Sequence, residues 1–406
     1  MSDKVIIIGG SHAAVACADQ LRKSGFDGPI GLHSREAELP YQRPPLSKGY
    51  MSGSVSLDRL HLRPKEWYSE HAIDLHLSSN ITSISTQTKE IVAANGDRCE
   101  YGKLVLATGA DARTLPADMG GALPNVHVMR DIDDANALMR EMAAGKKIVI
   151  IGGGYIGLEA AAEAAKTGLA VTLIEAAPRI LQRVACEQTA DAFRALHQAH
   201  GVTILEDKQI TGIEAGDDGL ARSVDLADGT SLDCDIVIVG IGISPNTDLA
   251  LAAGLDVAAG ISVDEYGRTS NPDIFACGDC TVLPMHNMPT RLESVQNAHD
   301  QAGVVAENIA GKAAAYHPEP WFWSDQYDMK LQIAGLNRGY DMVIVRPGKR
   351  EGSVSHFYFK GEKFLAVDCI NDGATYMMCR KILAADKNLT PSMAGDAGFD
   401  MRAMLR

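Results

Sequence analysis

Two glycine-rich turns, each leading from a β-rich apolar run into an Ala-rich stretch, constrain this 406-residue chain more than any other feature. The first reads Val5-Ile6-Ile7-Ile8-Gly9-Gly10-Ser11-His12-Ala13-Ala14, and the second reads Ile148-Val149-Ile150-Ile151-Gly152-Gly153-Gly154-Tyr155-Ile156-Gly157. A fingerprint glycine is needed where the backbone turns sharply, where it touches a pyrophosphate, and where helix packs on strand; the helix amides then face the phosphates. Gly152, Gly154 and Gly157 supply all three. Glu175, at the end of Val171-Thr172-Leu173-Ile174, places a carboxylate where it can accept both hydroxyls of an adenosine ribose. A 2′-phosphate there would meet like charge, so NADH is expected over NADPH, with Arg179 and Arg183 near enough in sequence to temper the preference. The first turn has Ser11 at the second glycine position and Ala14 at the third. Taken alone it also reads as a glycine turn that holds no nucleotide.

The company of the first turn favours a cofactor. Leu104-Val105-Leu106-Ala107-Thr108-Gly109 is a buried strand ending in a small-residue turn, and Ile274-Phe275-Ala276-Cys277-Gly278-Asp279 puts a carboxylate after a second such strand, well placed for a ribityl hydroxyl. The segment Val295 to Ala310 reads as a helix whose positive N-terminal end can face the flavin N1 and C2 carbonyl. Two dinucleotide sites in one chain imply electrons passing between two cofactors, as in a flavin enzyme fed by a nicotinamide nucleotide.

The length suggests two or three domains, and a 46% hydrophobic share is enough to build their cores. Apolar runs alternate with Ala-rich stretches to about residue 310, the pattern of a parallel sheet covered by helices. Ile236-Val237-Ile238-Val239-Gly240-Ile241-Gly242 closes the second unit as Leu104 to Gly109 closes the first. After Pro318 the texture changes: Lys330 to Ala334, Met342 to Arg346 and His356 to Val367 read as antiparallel strands, with a turn at Lys360-Gly361-Glu362 and a helix from Ala374 to Ala385. No run approaches the ~20 apolar residues of a membrane helix, and no secretory signal precedes Val5. The eight cysteines lack zinc or iron–sulfur spacing, so no metal site is expected and a reducing cytoplasm fits. A net charge of −14 argues against nucleic acid as partner. Residues 301–406, with 13 Lys and Arg against 12 Asp and Glu, are relatively basic, which also reads as an ordinary solvated surface.

Pro40-Tyr41-Gln42-Arg43-Pro44-Pro45-Leu46-Ser47-Lys48, Ile151 to Glu159, Leu292-Glu293-Ser294-Val295 and Trp321-Phe322-Trp323-Ser324-Asp325-Gln326 together resemble the NADH-dependent ferredoxin reductases of bacterial oxygenase systems. The resemblance covers nearly the whole chain. It implies an α/β, glutathione-reductase-like fold of two Rossmann-like dinucleotide-binding domains plus a C-terminal α+β domain: an FAD-binding domain over 1–110 and 245–319, split around an NAD-binding domain over 111–244, then an α+β domain over 320–406. It implies FAD contacts at Gly9, Ala13, Arg43, Lys48, Ile81, Thr108, Arg130, Asp279 and Val295, with Trp323 near the ring. Their neighbours Ser11, His12, Gly109, Gly278, Glu293 and Ser294 join the candidate cofactor-binding set. It implies NAD contacts at Gly154, Tyr155, Ile156, Glu159, Glu175 and Gly242, flanked by Gly152, Gly157 and Arg183. Lys48 is expected beside flavin N5, paired with Glu159 near the nicotinamide carboxamide. Arg35 departs from the pattern, standing where relatives often have Asp near the FAD adenosine.

Hydride transfer from nicotinamide C4 to flavin N5 is the cofactors' own chemistry, so the protein's task is placement. Without the resemblance, Lys48 is a surface lysine after a Pro-Pro turn and Glu159 an ordinary helix carboxylate. Cys277 and Cys280 have the C-x-x-C spacing of redox disulfides, but a buried strand end and the neighbouring Asp279 make coincidence the better reading. With no thiol relay, electrons must leave for an external carrier, and a [2Fe–2S] ferredoxin feeding a monooxygenase or ring-hydroxylating dioxygenase is the expected partner. Trp321 and Trp323, by default core aromatics, stand in the resemblance at the flavin edge, with Lys330, Arg338 and Arg346 as a basic surface for an acidic carrier. A rubredoxin reductase, an NADH diaphorase, or a redox-sensing NAD- and FAD-binding regulator would fit the same residues.

Overall fold

The computed structural model describes residues 3–285 and 288–405, so the expected outer bounds Met1 and Arg406 lie outside the described residues. The chain divides into two compact units. One comprises Met1–Arg43, Ser56–Asp111 and Ile243–Pro318; the other comprises Pro44–Val55, Ala112–Gly242 and Glu319–Arg406.

The first unit is built on a five-stranded parallel sheet in the order Ile274–Ala276, Lys103–Leu106, Val5–Ile8, Ile30–His33, Ile73–His76. Val5–Ile8 is buried along its whole length, which is why it reads as an unbroken apolar run rather than an alternating one. The helix His12–Lys23 buries Ala13, Ala14, Cys17, Ala18 and Leu21. It packs on the helix Val295–Ile309 through Ala298, Ala302, Val305 and Ala306. These alanines let the two helices approach closely, and a larger side chain at the fully buried Ala18 or Ala302 would force them apart. Full burial of Leu21 contributes roughly 2 kcal/mol.

The second unit holds another five-stranded parallel sheet, ordered Thr203–Leu205, Ala170–Ile174, Lys147–Ile151, Ile236–Val239, Val126–His127. It also holds an antiparallel sheet ordered Trp321–Gln326, Met329–Gly335, Lys363–Ile370, Val354–Lys360, Met342–Pro347. The helix Gly373–Ala384 covers one face of that sheet, started by the Asp372 side chain accepting the Thr375 amide at 3.3 Å. The stretch His356 to Val367 is two strands, broken by the turn at Gly361-Glu362.

The expectation of one kind of sheet up to residue 310 needs correction. Each unit also carries a three-stranded antiparallel sheet: Ile81–Ser85, Glu90–Ala93 and Arg98–Glu100 in the first, and Ile210–Ala215, Ala221–Leu226 and Ser231–Asp233 in the second. Their strands are only partly buried, so they lack the apolar contrast that marks the parallel ones. The short helical turn Pro44–Ser47 and Lys48 group with the second unit, apart from the chain on either side of them.

Candidate functional site

In the second unit the complete glycine turn sits at the carboxyl end of the central strand Lys147–Ile151 and opens the helix Tyr155–Lys166. Gly152 adopts φ +114°, and a Cβ there would lie 2.4 Å from the Gly240 carbonyl oxygen, so only glycine fits the bend. A Cβ on Gly157 would lie 2.0 Å from the Gly152 carbonyl oxygen, which closes helix onto strand, whereas one on Gly154 would meet nothing within 4 Å. Gly154 is the helix N-cap and brings no side chain to the first amides. Open space in front of uncapped amides is what a pyrophosphate requires, so these residues fit a dinucleotide.

Glu175 closes the far side of this turn. Its Oε2 accepts the Gly153 amide and its Oε1 accepts the Ala177 amide, each at 2.7 Å, which fixes the carboxylate while leaving further lone pairs for a ribose. Arg179 donates to the carbonyls of Ile180, Ala185 and Cys186 and so is tied into its own loop. Arg183 is exposed. Ile156, in the first helical turn, is 40% exposed. Gly242 follows the strand Ile236–Val239, its carbonyl held by the Arg113 amide at 2.9 Å.

Four residues down the same helix, Glu159 is buried and accepts three donors. Lys48 Nζ is 3.0 Å from Oε1, Ser324 Oγ donates to Oε1 at 2.6 Å, and Ser47 Oγ donates to Oε2 at 2.9 Å. Burial raises the carboxyl above its ordinary range, opposed by Lys48 and the two hydroxyls. The structure thus brings Lys48 and Glu159 together as an ion pair whose carboxylate is buried and whose ammonium is partly so, and adds Ser47 and Ser324, which sequence reasoning missed as functional side chains. Tyr155 packs its ring 4.9 Å from Phe322. Trp323 is half-buried, 5.5 Å from Trp321 ring to ring, so these tryptophans are neither core nor free surface. Arg130 places its amide on Asp134 Oδ2, at the capping box that starts the helix Ile132–Glu141.

In the first unit, the irregular turn follows Val5–Ile8. Gly9 adopts φ +146°, and a Cβ would fall 2.2 Å from the Ala107 carbonyl oxygen, the counterpart of Gly152 against Gly240. Ser11 is the N-cap of His12–Lys23 yet makes no side-chain cap, so its hydroxyl and the first amides remain directed at whatever the turn holds. His12 is buried, with Nδ1 3.2 Å from His299 Nε2, and Ala13 faces Gly278. Thr108 and Asn246 bond reciprocally, Thr108 Oγ1 to the Asn246 carbonyl at 2.7 Å and Asn246 Nδ2 to the Thr108 carbonyl at 3.1 Å, which fixes the turn carrying Gly109. The Gly278 amide is held by Gln301 Oε1 at 2.8 Å, orienting the loop of Asp279. Ser294 caps the helix Val295–Ile309 by accepting the Asn297 amide at 3.1 Å, and Glu293 pairs with Arg291. Ile81 is buried in the antiparallel insertion.

Glu36 is a residue that sequence reasoning passed over. It accepts from the Arg43 guanidinium and from the Tyr41 hydroxyl, so the acid that the sequence lacks at Arg35 is present one residue later. Arg35 itself is paired with Asp111. Of the basic residues expected to meet a carrier, Lys330 and Arg338 are exposed. Arg346 is not a free surface cation: it donates to the carbonyls of Ala397 and Phe399 at 3.2 Å each. Arg380, also missed, lies 5.0 Å over the Trp321 ring. All eight cysteines are free, and burial pushes the Cys277 and Cys280 thiols up. Among the described residues no helix is long and apolar enough to cross a membrane.

Residues 3–302 match the family model for pyridine nucleotide-disulphide oxidoreductases, and residues 321–405 match the model described as reductase C-terminal. The chain is 41% identical over 396 residues to ferredoxin–NAD(P)(+) reductase fdr of Sphingomonas sp, covering 96% of this chain and 94% of that protein. It is 41% identical over 400 residues to rhodocoxin reductase of Rhodococcus erythropolis, covering 98% and 93%. Its structure matches that of the covalent putidaredoxin reductase–putidaredoxin complex with a TM-score of 0.95 at 37% identity, over 99% of this chain and 98% of that one.

Proposed function

The chain belongs to the pyridine nucleotide-disulphide oxidoreductase family, and on that premise we propose that it is an FAD-dependent NADH:ferredoxin oxidoreductase delivering electrons to a [2Fe–2S] ferredoxin that feeds an oxygenase. FAD, when bound, accepts a hydride from NADH and returns the two electrons singly, which suits a one-electron iron–sulfur carrier. One observation carries the reading: two glycine turns of unequal regularity, each at the carboxyl end of its own parallel sheet, with the complete one bearing Glu175. The cysteines support the direction of flow. All eight are free, leaving no disulfide to take the electrons inside the chain.

The residue assignments are part of the proposal. The residues assigned to FAD are the first turn (Gly9, Ser11, His12, Ala13), Arg43, Ile81, Thr108-Gly109, Gly278-Asp279 and Glu293-Ser294-Val295, together with Lys48, Arg130 and Trp323. NAD is held by Gly152, Gly154, Tyr155, Ile156, Gly157, Glu175, Arg183 and Gly242. Lys48 and Glu159 orient the reacting ends: Glu159 anchors the Lys48 ammonium, and their ion pair keeps a fixed charge where the nicotinamide and flavin meet. The FAD-binding segments 1–110 and 245–319, the NAD-binding segment 111–244 and the C-terminal segment 320–406 follow the same reading, as does a cytoplasmic setting.

Anaerobic stopped-flow mixing of the purified yellow protein with NADH or NADPH, followed by a [2Fe–2S] ferredoxin, tests the whole. Fast bleaching by NADH and reoxidation by the ferredoxin are expected. A colourless protein that releases no flavin on denaturation overturns the reading.

A further inference from the structure

The strand Trp321–Gln326 sends Phe322, Ser324 and Gln326 to one face, as the two-residue repeat of a strand requires. That face meets two helices of the same unit. Phe322 packs on Tyr155, Ser324 reaches Glu159 one helical turn later, and Gln326 reaches His197 on the helix Glu187–Ala199. Ser324, Gln326 and His197 are all 1% exposed or less. His197 Nε2 lies 2.7 Å from Gln326 Oε1, Gln326 Nε2 lies 3.1 Å from Ser324 Oγ, and Ser324 Oγ lies 2.6 Å from Glu159 Oε1.

The direction of this chain is forced. Beside the Lys48 ammonium Glu159 is a carboxylate and can only accept, so Ser324 donates its one hydroxyl proton to it. Ser324 Oγ must then accept from Gln326, which turns the Gln326 amide NH2 toward Ser324 and its carbonyl toward His197. His197 therefore carries its proton on Nε2. The other ring nitrogen agrees: Nδ1 is buried without a hydrogen-bond partner among the described residues, which is tolerable for a bare acceptor and costly for an N–H. Burial also holds His197 below the ordinary imidazole range, so it stays neutral and has a single N–H.

We propose that Ser324, Gln326 and His197 are positioning residues: their hydrogen-bond chain fixes Glu159 in one rotamer, as an acceptor toward Lys48, for hydride transfer from NADH to FAD. This rests on the reading that Glu159 and Lys48 flank the reacting ends of the two cofactors. The titratable groups facing Glu159 are Lys48 and Tyr155, and His200 lies beside His197. A carboxylate held by three donors, one of them backed in turn by Gln326 and His197, cannot swing away from Lys48 without breaking a buried chain, which a carboxylate in water does freely.

The test is anaerobic reduction of the holoenzyme by NADH, followed across pH, in Glu159→Gln, Ser324→Ala, Ser324→Thr and Gln326→Glu. Gln326→Glu keeps size but reverses polarity, since a carboxylate there accepts from both His197 and Ser324 and draws the hydroxyl off Glu159. Ser324→Ala and Gln326→Glu are expected to slow flavin reduction about tenfold, the loss of one hydrogen bond to a charged group. They are also expected to move the acid limb of the profile to higher pH, because Glu159 loses a donor to its ionised form. Ser324→Thr restores both. A structural role alone would lower stability and leave the acid limb in place. Wild-type rates and limbs in Ser324→Ala and Gln326→Glu, with Glu159→Gln slow, overturn the chain while sparing Glu159. A wild-type rate in Glu159→Gln overturns the role of Glu159 and the chain with it. Should Gln326→Glu lose its FAD, Ser324→Ala, a deletion of one oxygen, decides.

Discussion

Lys48 Nζ stands 3.0 Å from Glu159 Oε1, and Ser47, the residue before Lys48, holds the other oxygen at 2.9 Å. A lysine following Pro44-Pro45 and a buried carboxylate on the helix Tyr155–Lys166 thus form one ion pair. Lys48→Met leaves Glu159 charged without a cation and should destabilise the protein by about 3 kcal/mol. Adding Glu159→Gln to Lys48→Met should recover most of that loss, because no buried charge remains. Chemical denaturation of the two single variants and the double variant checks the coupling; strict additivity would mean the pair contributes nothing.

Glu175 holds the Gly153 amide, and in the proposed function the same carboxylate meets the ribose. Glu175→Ala should raise KM for NADH about tenfold, through the loss of charged hydrogen bonds, and narrow the gap between NADH and NADPH. Arg183→Ala should weaken NADPH more than NADH. Steady-state kinetics with both nucleotides decides, and an unchanged preference in Glu175→Ala removes Glu175 from the ribose.

Asp368 is fully buried, accepts from Thr189 at 2.8 Å and from Tyr358, and its carboxyl is pushed by burial from 3.8 to about 7. A folded pKa raised above the unfolded one gives stability that is full below 3.8 and lost as pH rises to about 7. Asp368→Asn should therefore gain on wild type across that window and run parallel above it. His356, pushed down to about 4 by burial, contributes in the opposite sense, its stability being lost as pH falls toward that value. Urea midpoints measured at intervals through this range would show a constant difference if Asp368 were ionised throughout.

Seven of the eight cysteines are buried, and Cys99 alone is partly exposed. Brief thiol labelling of the native protein should modify Cys99 only, with Cys277 and Cys280 reacting after denaturation. Mass spectrometry of the labelled peptides reads this directly, and rapid native labelling at Cys277 would reopen a thiol role.

Lys330→Glu and Arg338→Glu should each raise KM for an acidic ferredoxin two- to fivefold at low salt, an effect of ~1 kcal/mol that fades as salt rises. Arg346→Ala should behave differently, lowering thermal stability, because its guanidinium holds the carbonyls of Ala397 and Phe399. A wild-type KM at low salt in both Lys330→Glu and Arg338→Glu would remove the basic surface from docking.

The glycine turns and the buried parallel strands were legible because each is a local pattern tied to one backbone geometry. The antiparallel insertions were overlooked although Asn95-Gly96, Asp218-Gly219 and Asp228-Gly229 are hairpin signals that stand in their turns. The polar chain was invisible for another reason. Ser324 and Gln326 sit in a recognisable Trp-rich segment, but nothing local says that their face meets Glu159 and His197. Glu36 is masked in the sequence by the basic residue beside it, one step past the position at which the family pattern has its acid.

The first unit draws its strands from both ends of its chain segments: Ile274–Ala276 pairs beside Lys103–Leu106, and everything from Ala112 to Gly242 lies in the other unit. During synthesis the amino-terminal strands must therefore wait, with an unpaired sheet edge, until the ribosome has delivered Ile274 and the helix that follows it. The sheet from Val126 to Val239 has no such delay. The sheet spanning Val126 to Val239 should thus set before the sheet that begins at Val5 closes, although the latter starts nearer the amino terminus.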